Sequence, residues 1–248
     1  MKDTTFPWLY HGQYSQYKED LSFWLNLAHQ SGGPILELAC GTGRVLGVLI
    51  QAGYKVFGLD RDESMLDVLE ETITEEVFQS LQVFQADMAA FHLHKQFPLI
   101  VLTCNTFGTI SYPTRQATLT CVCRHLLPGG IFATSLPNPE ALRDLPEKAD
   151  PEFEEAFYHP ISGNPVEVSC GWQRFNDHII FHWIYDHLFP DGRVERVIKD
   201  AYQDLSSKED FELQVNQAGL SLDGVMGDFN GDEYDSDSPN LILIARRQ

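Results

Sequence analysis

Basic residues are scarce in this chain. Its 248 residues hold 17 lysines and arginines against 36 aspartates and glutamates, a formal net charge of -19. Binding to a polyanion rests on lysine and arginine neutralising phosphates. Nucleic acids and anionic membrane surfaces are therefore not expected partners. A small molecule, above all a cationic or amine-bearing one, is. The acidity also serves solubility. Cysteine is thin as well: Cys40, Cys104, Cys121, Cys123 and Cys170 are odd in number and form no C-x-x-C. Neither a disulfide frame nor a zinc site is expected, and no other metal is. A reducing, cytoplasmic setting fits. No apolar run is long enough to cross a bilayer. Met1-Lys2-Asp3 leads straight into residues 6–10 with no apolar signal core. Internal repeats and low-complexity linkers are missing too.

What is present suffices for one sizeable core: 43% of residues are hydrophobic and 12% aromatic. A single domain over residues 1–248, carrying an insertion, is the expectation. Residues 35–60 organise it. The apolar run Ile35, Leu36, Leu38 leads into Gly41-Thr42-Gly43. A helical pattern (Val45, Leu46, Val48, Leu49) stops at Gly53, and a second apolar run, 56–59, ends in Asp60. Strand, glycine turn, helix, strand, acid is a βαβ unit with a nucleotide-type site at the strand ends. Gly41 and Gly43 permit positive φ and close approach of a ligand. Asp60 stands where a carboxylate accepts both hydroxyls of a ribose. A dinucleotide fingerprint would set a third glycine where Leu46 stands. Instead Glu37 lies inside the first strand, followed by Ala39, Gly41 and Gly43 at every second residue. A pyrophosphate wants donors and no nearby carboxylate. A ligand carrying an ammonium and a sulfonium suits Glu37.

The rest of the chain extends this pattern. Phe6, Trp8, Tyr10, Tyr14 and Tyr17 crowd the start, and Leu21, Trp24, Leu25, Ala28 form an amphipathic helix that Gly32-Gly33-Pro34 ends. Residues 1–33 thus read as a helical lid, with Trp24 as core. Asp62 is an N-cap candidate. Strands are expected at 81–85, 98–103 and 131–135, alternating with helices, which argues a doubly wound parallel sheet. Residues 136–165, with six prolines and many acids, read as a long connection. From Val166 the period becomes two. Val166, Val168, Cys170 and Trp172 share a face; Ile179, Phe181, Trp183 and Tyr185 share another, with His178, His182 and Asp186 opposite. Three such strands make an antiparallel meander, so 136–205 is an inserted antiparallel sheet over the site. Ser206-Ser207-Lys208-Glu209 reads as a capping box, and 220–229 and 240–245 as the last strands. Asp228-x-Asn230-x-Asp232 hints at a calcium loop, but Glu233 stands where the loop needs glycine and Pro239 where it needs its bidentate glutamate. A solvated turn is expected there.

E-x-A-x-G-x-G at 37–43, Gly-Leu-Asp-Arg-Asp-Glu-Ser-Met-Leu at 58–66, Gln-Ala-Asp-Met at 85–88, Leu-Pro-Gly-Gly at 127–130 and the closing Gly-Asp-Phe…Asp-Ser-Pro hairpin together resemble the class I methyltransferases that use S-adenosylmethionine. The layout is similar to the amino-sugar and glycine N-methyltransferase-like branch, and the likeness covers nearly the whole chain. It implies an α/β fold: a Rossmann-like, seven-stranded, mostly parallel sheet with the meander inserted. It implies that Glu37, Ala39, Gly41 and Gly43 hold the methionine end. It gives Asp60 the ribose, with Arg61 and Met65 flanking the adenine. Asp87 would bond the adenine amino group, and Met88 would offer its backbone. Cys104 would face the amino-acid moiety or the sulfur, and Tyr14, with Tyr10, would reach over the cofactor's carboxylate. Ala39 departs from the usual glycine by one methyl group, so a slightly shifted turn is expected.

Methyl transfer is an in-line displacement at a sulfonium carbon with a good, neutral leaving group. Alignment carries most of the barrier reduction. A neutral amine acceptor needs no base, whereas a hydroxyl wants one. Candidate bases are His11, His182 and His178. Asn105 and Phe107, at the carboxyl end of the fourth strand, are the leading substrate-side residues. Trp172, Trp183 and Tyr185 either line the acceptor pocket or pack the meander. The expected partner is a small-molecule acceptor, N- or O-methylated; a homodimer is compatible but not required. The alternatives are a non-catalytic, cofactor-binding regulatory or assembly protein and a nicotinamide dehydrogenase. Leu46 and Glu37 argue against the second.

Overall fold

The computed structural model describes residues 5–73 and 81–248. The expected alternation is there. Strands β1 (Ile35–Leu38), β2 (Val56–Asp60), β3 (Leu81–Gln85), β4 (Phe97–Leu102) and β5 (Leu126–Pro137) run parallel; β10 (Leu220–Met226) and β11 (Asn240–Arg247) pair antiparallel at one edge. The order is β10-β11-β5-β4-β1-β2-β3. This is the seven-stranded, mostly parallel sheet implied by the sequence. From β1 the chain moves outward through β2 and β3, then returns to the other side of β1 for β4. The carboxyl ends of β1 and β4 therefore form the topological switch point, where open α/β sheets bind ligands.

Every residue of β1 and β2 is buried, as strands covered on both faces must be. One face packs Leu36, Leu38, Leu102 and Phe132; the other packs Ile35, Val56, Leu99 and Val101. Each such side chain contributes roughly 1.5–3 kcal/mol. Helix α2 (Leu21–Ser31) buries Phe23, Trp24, Leu27 and Ala28. Trp24 is a core residue, and its Nε1 donates to Asp20 Oδ2 at 2.9 Å. Helices α3 (Arg44–Gln51), α4 (Glu63–Thr72), α5 (Thr106–Thr109), α6 (Tyr112–His125), α7 (Pro139–Arg143) and α8 (Lys208–Gln217) follow. Asp62 caps α4, accepting from Ser64 N.

A second, antiparallel sheet, β6-β7-β8-β9, comprises β6 (Lys148–Tyr158), β7 (Pro165–Arg174), β8 (His178–Leu188) and β9 (Val194–Asp204). It has four strands, not three. The supposed connection at 136–165 contains α7 and the eleven-residue β6. That strand lies at an edge and is exposed along most of its length, so no alternating apolar face marks it. Its register slips near Pro151, the irregular edge setting in which a strand admits proline. The Pro-Gly-Gly segment at 128–130 is likewise a bulge within β5, where the register jumps from Leu126 to Ile131, so the strand begins at Leu126 rather than at the expected 131. The capping box of α8 falls one residue later than expected: Ser207 Oγ accepts from Asp210 N, and Asp210 Oδ2 accepts from Ser207 N.

Helix α1 (Thr5–Tyr14) joins the sheets. Leu9 packs on Val166, Val168 and Tyr185. Gln13 Nε2 donates to Glu155 Oε1 at 2.9 Å, while its Oε1 accepts from Tyr185 Oη at 2.7 Å. Arg115 ties the far side. It is fully buried, and donates to Gln214 Oε1, the Ile110 carbonyl and Asp204 Oδ2 at 2.8, 2.6 and 2.9 Å.

Candidate functional site

The site is built on two sharp bends at the switch point. After β1, Ala39, Gly41 and Gly43 have φ of 50°, 52° and 84°. After β4, Cys104 and Asn105 have φ of 55° and 61°. Three of these five are not glycine, and each pays local strain to hold the left-handed region. Gly43 is required twice over: a Cβ there would stand 2.0 Å from Leu69 Cδ1. Asp60 fastens the first bend. Its Oδ2 accepts from Gly41 N at 2.8 Å and its Oδ1 from Asp62 N at 2.9 Å. Burial raises its pKa against the pull of these hydrogen bonds.

Glu37 is only 2% exposed. Its Oε1 accepts from Thr103 Oγ1 at 3.0 Å, and its Oε2 is buried without a partner. Burial pushes its pKa up to about 8. Facing it across the bend is Arg44, the first residue of α3. Arg44 grips Asp20 in a fork, Nη1–Oδ1 2.6 Å and Nη2–Oδ2 2.7 Å, and its Nη2 reaches Cys104 Sγ at 3.1 Å. Burial works against its charge, but Asp20 outweighs that and raises its pKa. Its Nε is buried and unpaired. Tyr10 and Tyr14, rings 4.5 Å apart, lie above. Burial pushes the Tyr14 phenol up to about 12 and raises that of Tyr10.

Three adjoining cavities result. One of about 110 Å³ is lined by Ala39, Asp60, Arg61, Asp87, Met88 and neighbours. A cleft of about 10 Å³ lies among Tyr10, Tyr14, Glu37, Ala39, Arg44 and Cys104. A third, of about 550 Å³, opens between the two sheets and shares Tyr10, Tyr14, Arg44 and Cys104 with the cleft. Its walls include Asn105, Phe181, Trp183, Tyr202 and Gln203.

The structure thus brings Tyr14, Glu37, Ala39 and Cys104 together at one end of a groove and Asp60, Arg61, Asp87 and Met88 at the other. Gly41 and Gly43 shape the bend from behind. Met65 lines none of these cavities. Of the residues weighed for the substrate side, Asn105 and Trp183 line the large cavity, and Phe107, Trp172 and Tyr185 do not. Phe107 is fully buried in the core against Phe132 and Phe211. Two successive left-handed residues reverse the chain before it, so it points inward. Trp172 turns its Nε1 to the Pro146 carbonyl at 3.1 Å. Tyr185 is buried against Gln13. None of the three candidate histidines lines the cavity. His182 pairs with Asp200 at 2.7 Å on a well-exposed face of the second sheet. His178 is stacked with Phe175 and Tyr202. His11 meets Trp8 edge-on. The residues not foreseen are Arg44, Asp20, Thr103 and Gln203. Arg44 alone carried a signal, directly following Gly43 at the helix start.

Residues 35–130 match the family model described as Methyltransferase domain. The chain is similar to the putative methyltransferase YqeM of Bacillus subtilis (strain 168), 24% identical over 242 residues, covering 96% of this chain and 92% of that one. Its fold is similar to that of an S-adenosylmethionine-dependent methyltransferase from Clostridium acetobutylicum ATCC 824, with a TM-score of 0.80, 15% identity, and 98% and 97% of the two chains covered. It is also similar to CalS10, an amino pentose methyltransferase from Micromonospora echinaspora solved with S-adenosylmethionine bound: TM-score 0.74, 16% identity, 97% of each chain.

Proposed function

We propose that this chain, a class I methyltransferase that uses S-adenosylmethionine, methylates the neutral amine of a small, uncharged acceptor seated in the 550 Å³ cavity. The residues present fit the cofactor. The unpaired Glu37 Oε2 suits its ammonium, and the unpaired Arg44 Nε suits its carboxylate. Asp60, Asp87 and Met88 line the adjoining 110 Å³ cavity and would hold the nucleoside. When bound, the cofactor supplies an electrophilic methyl group on a sulfonium sulfur. The chain's own residues bind, orient and exclude water. The cleft by Glu37 holds only about 10 Å³ and adjoins the large cavity through Tyr10, Tyr14, Arg44 and Cys104, so a movement of α1, which bears the two tyrosines, would widen it and let the helix close as a cover.

One observation carries the amine reading: the described walls of the cavity offer no free carboxylate or histidine base. Its carboxylate, Asp20, is taken by Arg44 and Trp24. Tyr10, Tyr14, Tyr17 and Tyr202 are all held above their ordinary pKa, so they stay protonated at neutral pH. An amine brings its own lone pair; a hydroxyl would need help. The amino pentose acceptor of CalS10 supports this reading. The five free cysteines support a reducing compartment. The test is the pH–rate profile at saturating methyl donor with two amine acceptors of different basicity. The inflection is expected to move with the amine's own pKa. An inflection that stays put, or methylation of phenols but not amines, overturns the reading.

A further inference from the structure

Gln203, near the end of β9, is 4% exposed and lines the large cavity, yet its Nε2 has no hydrogen-bond partner. A buried donor left unpaired costs free energy, so an orphan of this kind calls for an explanation. It is not a loosely held side chain. Its backbone pairs with Ile179 across β8. The next residue, Asp204, is gripped by buried Arg115, and the Leu205 carbonyl accepts from Arg143. The neighbouring helix makes room for it. A Cβ on Gly108 of α5 would stand 1.8 Å from Gln203 Nε2, and no positive φ demands glycine there. The Gln203 amide thus lies directly against Gly108 of α5, and a side chain at 108 would displace it. Thr106 and Thr109 of that short helix line the same cavity, and Asn105 precedes it.

We propose that Gln203 is a specificity-determining residue that donates a hydrogen bond to an oxygen of the acceptor molecule. This rests on the amine-methylation reading and narrows it. The favoured acceptor is an amine bearing a hydroxyl or carbonyl oxygen near the nitrogen, not a bare alkyl amine. The terminal amide torsion is soft, so the NH₂ turns to a ligand without moving the backbone. A site built to hydrogen-bond an oxygen discriminates against the analogue lacking it, because the donor is then left unpaired.

The experiment uses the full chain, tritiated methyl donor and matched amines: cyclohexylamine with trans-2-aminocyclohexanol, and 2-phenylethylamine with 2-amino-1-phenylethanol. The wild type is expected to prefer the oxygen-bearing member of each pair by about tenfold in kcat/KM. Gln203→Leu and Gln203→Met are expected to erase that ratio while binding S-adenosylhomocysteine within about twofold of wild type, which also reports that they fold. Two variants guard against one failing to fold. No preference in the wild type, a preference that survives in a folded variant, or a chain that binds S-adenosylhomocysteine but methylates none of the four amines overturns the proposal. Failure of the wild type to bind S-adenosylhomocysteine sinks the underlying reading instead.

Discussion

Replacing Glu37 by glutamine tests the heart of the site through two effects of opposite sign. Glu37 is buried, has one unpaired oxygen, and titrates near 8 in the unliganded protein. A cofactor ammonium selects the ionised form. At pH 6 only about 1% of Glu37 is ionised, and at pH 8 about half, so affinity for S-adenosylhomocysteine should rise about 50-fold across that span. Glu37→Gln should bind more weakly at pH 8 and show almost no slope. Stability runs the other way. The folded pKa lies above the ordinary 4.5, so burial favours protonated Glu37. That contribution is fully present below pH 4.5 and is lost as pH rises through about 8. The loss amounts to at most about 5 kcal/mol, an order-of-magnitude ceiling. Unliganded Glu37→Gln should therefore melt higher than wild type at pH 8 and close to it near pH 5. Calorimetric titration and thermal melts between pH 5 and 8 read both effects. A flat wild-type affinity, or a variant keeping the slope, refutes the reasoning.

Other expectations follow from the bends. Asp60→Ala removes two charge-assisted hydrogen bonds to Gly41 N and Asp62 N. It should weaken S-adenosylhomocysteine binding at least about tenfold by calorimetry, each such bond being worth roughly 1.5–3 kcal/mol; unchanged affinity removes Asp60 from the site. Gly43→Ala drives a methyl group to 2.0 Å from Leu69 Cδ1 at a φ of 84°. It should cost about 2–4 kcal/mol in a denaturant melt, with Leu69→Ala in the same chain relieving the steric share. Hydrogen exchange should show α1 amides slowing when S-adenosylhomocysteine is added, because the cleft beneath Tyr10 and Tyr14 holds only about 10 Å³ without movement. Equal exchange with and without ligand contradicts a cover.

How much was legible depended on whether a residue's role was local. The bend after β1 was readable because left-handed backbone selects glycine, and Gly41 and Gly43 announce it. The alternation of strands and helices followed from the apolar runs, whereas the strand order is visible only in the assembled sheet. The second sheet's alternation correctly set Trp183 and Phe181 opposite His182, and that same parity removes His182 from the cavity. Position at the carboxyl end of β4 was not enough for Phe107, because nothing in the letters Cys104-Asn105 reveals the two consecutive positive φ values that turn it inward. Edge strand β6 escaped because exposure erases the apolar pattern. Arg44 with Asp20 and Glu37 with Thr103 escaped because partners 24 and 66 residues apart meet only once the sheet is assembled. Gln203 escaped for the same reason: its significance is the space left by Gly108.

The most direct measurement is a paired equilibrium titration of the purified full chain with S-adenosylhomocysteine and with NADH, followed by amide exchange of the bound form. The assignment of this site requires that the thioether nucleoside bind, that NADH not bind, and that protection appear at residues 39–43, 60–61 and 87–88. Binding of NADH without the thioether, or thioether binding that leaves those three segments unprotected, would contradict it.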